Sequence, residues 1–105
     1  MGRKQQGPNI DPRARHLPCV YVRYKDGWYY VGQSKNGFGH RSLYQTKDGK
    51  MDYGPIIEAI LASDDYYERC DQEQARTYQL IQAGYHVRNR LIYKPRKSIL
   101  AWLLK

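Results

Sequence analysis

Dry aromatic bulk is what this chain has least of: one phenylalanine and two tryptophans among 105 residues, against eleven tyrosines. A tyrosine buries its ring but needs a partner for its hydroxyl. A thick, water-free centre is therefore excluded, and a thin core beside a tyrosine-lined groove is expected. Cysteine is scarce as well. Cys19 and Cys70 are too few and too far apart for a zinc pattern, and both are expected as free thiols of a reducing compartment. No apolar run approaches membrane-spanning length, and the polar opening of the chain lacks the apolar stretch of a signal peptide.

Negative charge is also short, with 10 Asp+Glu against 18 Lys+Arg and a formal charge of +8. Such a balance attracts polyanions by releasing their counterions, whatever their sequence. The distribution is uneven. From Arg88 to Lys105 the chain carries Arg88, Arg90, Lys94, Arg96, Lys97 and Lys105 and no carboxylate, while Asp64, Asp65, Glu68, Asp71 and Glu73 gather before it. Basic ends around an acidic middle suit a phosphate-binding rim around a cation site.

One domain is all that this length holds. Residues 1–17 are rich in Pro, Gly and charge without periodicity and are expected as a flexible basic arm; residues 18–105 form the domain. Two β-branched and aromatic runs, Cys19 to Lys25 and Trp28 to Gln33, flank Asp26-Gly27, the chemistry of a two-residue type I′ turn. That turn sets Lys25 opposite Trp28, Arg23 opposite Tyr30 and Tyr21 opposite Gly32. Side chains alternate along a strand. Val20, Val22, Tyr24, Tyr29 and Val31 then share the core face. Tyr21, Arg23, Tyr30 and Gly32 share the other, with the two phenols diagonal neighbours roughly 5–8 Å apart.

Beyond the hairpin, His40 to Gln45 reads as a short helix and Lys47 to Gly54 as a loop. Pro55 to Ala62 suits either a buried strand or a helix opening at Pro55, the strand being favoured because a lone hairpin is marginal. Ser63-Asp64-Asp65 signals a helix start. A helix over about Gln72–Ala83 closes at Gly84, with Ala75, Tyr78, Leu80 and Ile81 as its apolar side. Pro95 can open a last, basic helix that packs through Ile99, Leu100, Trp102, Leu103 and Leu104. The expected architecture is a small α/β (α+β) domain with a mostly antiparallel sheet of about three strands.

Cys19-Val20-Tyr21 followed by Tyr30-Val31-Gly32 resembles the paired motifs that name the GIY-YIG nuclease family, with Cys19 in place of the first glycine. The similarity extends through the loop at Gln33 to Asn36, Arg41, the helix ending near Ile81 and Asn89, covering about residues 19 to 90. The resemblance implies metal-dependent endonucleolytic hydrolysis of a nucleic-acid phosphodiester, with Mg²⁺ or Mn²⁺ as cofactor. Tyr21 would act as general base or orient the water, Tyr30 would support it, Arg41 would stabilise the phosphate's charge and Asn89 would tie down the geometry. His40 precedes Arg41 and could exchange roles with it.

The chain departs from the family's pattern at the metal-binding glutamate, where Thr77 or Gln79 stands, depending on the match. Glu73 lies one turn before Thr77 on the same helix face and could supply the ligand; Glu68 and Glu58 are further carboxylates. The alternative is a catalytically silent nucleic-acid-binding module of the same fold. Expected contacts to the nucleic acid, DNA before RNA, are Arg23, Lys35, Arg88, Arg90, Arg96 and Lys97. A partner protein or a homodimer would supply specificity. An intracellular location, cytoplasmic or nucleoid-associated, and no membrane partner complete the expectation.

Overall fold

A computed structural model describes residues 9–40, 52–92 and 94–103 of the chain. Three strands, β1 (Cys19–Lys25), β2 (Trp28–Ser34) and β3 (Ile56–Leu61), form an antiparallel sheet in the order β2-β1-β3. Two helices follow, α1 (Tyr66–Gln82) and α2 (Lys97–Trp102). Single 3₁₀ turns at Pro12–Arg15 and Phe38–His40 complete the described elements. The helix read over His40 to Gln45 falls, after His40, outside the described residues.

The hairpin has the register that its turn dictates. Asp26 and Gly27 both take positive φ, 53° and 86°, as a type I′ turn requires. Lys25 then pairs with Trp28, Arg23 with Tyr30 and Tyr21 with Gly32. The ambiguous Pro55 to Ala62 stretch supplies β3, which closes the far side of β1 with a bulge opposite Val22 and Arg23. Val20, Val22 and Val31 are buried beneath α1, joined by Leu80 and flanked by Trp102 of α2.

The face carrying Tyr21 and Arg23 is covered too, and this corrects the reading of a loose arm over residues 9–17; residues 1–8 lie outside the described residues. Residues 9–17 are docked. Asp11 N–H donates to the Ala59 carbonyl at 3.0 Å, and Ala59 N–H to that of Asn9 at 2.9 Å. Ala14, in the turn that Asp11 caps, is fully buried against Cys19, Tyr21 and Ala59. Proline-rich composition here marks a turn rather than disorder. Both cysteines are free thiols, and burial pushes that of Cys19 up to about 11.

The start signal at Ser63 to Asp65 and the segment from Gln72 belong to one helix. Asp65 caps α1 by accepting the Glu68 N–H at 2.9 Å, and Ser63 Oγ accepts that of Asp65 at 3.0 Å. At the far end Tyr85 N–H reaches the Leu80 carbonyl and Gly84 N–H that of Ile81, with Gly84 at φ 93°. This is the Schellman pattern. The buried side of α1 differs from the apolar set expected: Ile81 is exposed, whereas Arg69, Gln72 and Thr77 are buried with Ala75 and Leu80. These polar side chains can be buried because each is bonded: Arg69 to Gln33 and the Ser63 carbonyl, Gln72 to Ser63 N–H, Thr77 to the Glu73 carbonyl.

Docking of residues 9–17 has a direct consequence for stability. Ala14→Asp would bury an uncompensated charge and is expected to cost about 3 kcal/mol in urea unfolding. Arg13→Ala, which removes only an exposed ion pair with Asp11, is expected to leave the midpoint nearly unchanged, because water screens such a pair. An unchanged midpoint for Ala14→Asp would mean that the segment is not docked.

Candidate functional site

The two tyrosines of the hairpin and one carboxylate of α1 line a single cleft of about 420 Å³, with Lys35, Tyr66 and Arg69 at its walls. Each is positioned by a separate device. Tyr21, across β1 from Gly32, lays its ring over the space that glycine leaves: a Cβ at position 32 would sit 2.4 Å from the Tyr21 Cζ. Tyr30, on β2, stacks face to face on Tyr53, with ring centres 4.0 Å apart and planes 4° from parallel. Glu73 comes from the third turn of α1, more than forty residues along the chain from Tyr30.

Arg23 sits behind this pair and is fully buried. Its guanidinium lies 5.5 Å from the Tyr21 ring centre and donates to the Gly54 carbonyl at 2.7 Å. Burial draws its pKa down; the charge of Tyr21, a hydrogen bond to the same side chain and the charges of Tyr30 and Asp52 oppose that shift. Arg23 therefore cannot meet a phosphate at the surface, and it leaves the set of expected nucleic-acid contacts. It braces the residue 52–54 turn instead, where Asp52 accepts the Gly54 N–H and pairs with Lys25 at 2.8 Å. Tyr53 is thereby held against Tyr30.

Asn89 acts on β2 directly. Its side-chain amide accepts from Val31 N–H and donates to the Val31 carbonyl, both at 2.7 Å. One side chain so satisfies the edge peptide groups of the residue between Tyr30 and Gly32. The preceding residues continue the contact: Tyr29 N–H bonds the His86 carbonyl, and Arg88 N–H the Tyr29 carbonyl.

Other expected residues are dispersed. Thr77 is fully buried. Gln79 lines a second, larger cleft of about 740 Å³ along β3, where Arg76 bonds it and pairs with Glu58 at 2.6 Å. Neither reaches the tyrosines. Glu68 is exposed at the start of α1. Arg88, Arg90, Arg96 and Lys97 are exposed but do not line the tyrosine cleft, and Arg96 pairs with Asp71 at 2.9 Å. Arg41 and the side chain of His40 lie outside the described residues.

Arg69 and Tyr53 were missed in the sequence. Arg69 belongs to a helix start that reads as solvated charge, and Tyr53 to a loop without periodicity. The i,i+4 relation of Arg69 to Glu73 was a usable signal for the first; no local signal marks the second.

Burial raises the Glu73 carboxyl from its ordinary value to about 7. Oxygen chemistry dominates around it: one carboxylate and the phenols of Tyr21, Tyr30 and Tyr66. Among the described residues no three His, Cys, Asp or Glu side chains converge. A cation here would thus rest on one carboxylate and keep much of its water, which matches the habit of Mg²⁺. No family model, curated protein or solved structure matches the chain.

Two expectations follow from this geometry. Gly32→Ala would force the Tyr21 ring aside, so the variant should stay folded by circular dichroism while the near-ultraviolet tyrosine signal changes. The raised Glu73 pKa also sets a sign. Between about pH 4.5 and 7 the unfolded carboxyl has lost its proton while the folded one keeps it. The folded state then binds more protons, so this contribution is full below pH 4.5 and is lost as pH rises through 7. Glu73→Gln should abolish that decline, at most about 3 kcal/mol, in urea unfolding followed across the range. An identical slope in both proteins would contradict the burial of Glu73.

Proposed function

We propose that this protein is a metal-dependent endonuclease of the GIY-YIG kind, hydrolysing nucleic-acid phosphodiester bonds, with DNA preferred over RNA. The observation that carries the reading is the convergence of Tyr21, Tyr30 and Glu73 on one cleft. Glu73 answers the departure at Thr77 and Gln79, since it brings a carboxylate to the tyrosines without either.

Glu73 would hold Mg²⁺ or Mn²⁺ through its carboxylate, with Tyr30 or Tyr66 oxygens and water completing the shell. A cation held there would supply Lewis-acid polarisation of a phosphate oxygen and a more acidic water. Tyr21, as its phenolate, would orient the attacking water and take its proton while the P–O bond to the leaving oxygen breaks and that oxygen is protonated by solvent; the Arg23 guanidinium lies beside the Tyr21 ring. Tyr30, held by Tyr53, hydrogen-bonds the phosphate. Lys35 and Arg69 offset the charge that grows on it. Arg41 and His40 keep their expected parts in the same scheme, and Asn89 keeps β2 straight beneath it. A homodimer or partner protein would add specificity.

Cleavage of labelled duplex, branched and single-stranded DNA and RNA with Mg²⁺ tests this. Tyr21→Phe and Glu73→Gln are each expected to lower the rate by roughly 10²-fold or more, and Gln79→Glu to leave it unchanged. No cleavage by the unaltered chain, with salt-sensitive binding retained, would instead favour a silent binding module.

A further inference from the structure

At the turn end of the hairpin, outside the described cleft lining, aromatic rings gather at the surface. Trp28 is 40% exposed, Tyr24 39% and Tyr85 51%. Tyr29 lies between Tyr24 and Tyr85, its ring centre 4.8 Å from one and 5.0 Å from the other. Along the same edge His86 lies 5.1 Å from the Trp28 ring and the Arg88 guanidinium 5.3 Å from it. Folding alone does not call for this arrangement. Large rings left half in water at the edge of a basic chain sacrifice burial that the core could use.

The backbone makes the cluster rigid. Residues 86–88 run beside β2 through the two bonds to Tyr29, which holds His86 and Arg88 on the face of the hairpin that carries Trp28, whereas Tyr24, Tyr29 and Tyr85 contact one another on the opposite face. The loop contributes cations and no carboxylate: from Gly84 to Ile92 the charged or chargeable side chains are His86, Arg88 and Arg90.

We infer that Trp28, His86 and Arg88 form a stacking platform for an unpaired nucleic-acid strand. Flat rings at the surface accept bases of any sequence, and the neighbouring cations accept the phosphates between them. A duplex keeps its base faces covered and offers such a platform nothing to stack on. Trp28 precedes Gly32 by four residues of extended strand, about 13 Å. A stacked single strand covers that distance in about four nucleotides, so a strand seated on the platform leads toward the tyrosine cleft. The inference extends the nucleic-acid part of the proposed function and is independent of the hydrolytic part.

The test uses the full chain in a chelator, where cleavage plays no part. A short fluorescent oligodeoxythymidylate and a duplex of equal length are compared by anisotropy, and tryptophan emission is followed on addition of unlabelled oligomer. Single strand is expected to bind about tenfold tighter than duplex and to quench the emission. The quench should survive Trp102→Phe, which leaves Trp28 as the reporter. Trp28→Leu is expected to weaken single-strand binding about tenfold and His86→Ala and Arg88→Ala several-fold, with unchanged thermal midpoints because all three side chains are exposed. Equal affinity for duplex, absence of quenching, or unaltered binding in Trp28→Leu and Arg88→Ala would each overturn the platform. A chain that quenches yet never cuts would sink the hydrolytic reading and leave the platform standing; one that cuts duplex without engaging Trp28 would do the reverse.

Discussion

The cross-strand pairing of Tyr21 with Gly32 is the constraint on which the rest depends. A shift of one residue would turn every side chain of the hairpin to the opposite face. Val20, Val22 and Val31 would leave α1, and Tyr21 and Tyr30 would turn away from the cleft toward that helix. The two positive-φ residues at the turn prevent that slip. The glycine is then required for a second reason, since the Tyr21 ring occupies the volume that any Cβ at position 32 would need.

Buried polar groups carry unusual weight in so small a domain. Arg23 and Thr77 have no exposed surface, and Arg69 and Gln72 have almost none. Three bonded groups tie elements that hydrophobic contact alone would hold loosely: Arg23 joins β1 to the turn before β3, Arg69 joins α1 to β2 through Gln33, and Asn89 clamps β2 from the loop after α1. Such networks specify a geometry more sharply than apolar packing, because leaving one member unbonded costs more than the bond itself contributes. The cleft lies at the Arg69–Gln33 tie, both members of which line it.

Local patterns made the sheet legible. The turn dipeptide gave the register, β-branched residues gave the strands, and Gly84 closed α1, while the start signal at Ser63 to Asp65 was not joined to a helix read only from about Gln72. Two things were not legible for one physical reason. The docking of residues 9–17 and the stacking of Tyr53 on Tyr30 are tertiary contacts, and their segments show no periodicity that would announce them. Composition misled for the first: Pro12 serves as the opening of a capped turn around Ala14, not as a breaker. The apolar side of α1 was misjudged because its buried stripe is largely polar, and a reading based on hydrophobic spacing selects Ile81 over Thr77.

The carboxylate illustrates why counting along a motif is less reliable than helical phase. An α-helix turns by about 100° per residue. Gln79 thus lies about 120° around α1 from Glu73 and meets Arg76 and Glu58 on the β3 side. Thr77 is only about 40° away, but it stands one turn farther along and spends its hydroxyl on the Glu73 carbonyl. A match anchored on the end of the helix therefore selects residues below the cleft, whereas the tyrosines face the turn above. The axial position of the helix is set by Arg69, which ties that upper turn to Gln33 on β2, one residue past the glycine that admits the Tyr21 ring. The same contact that fixes the helix against the hairpin thus determines which of its side chains can share a cleft with the two phenols.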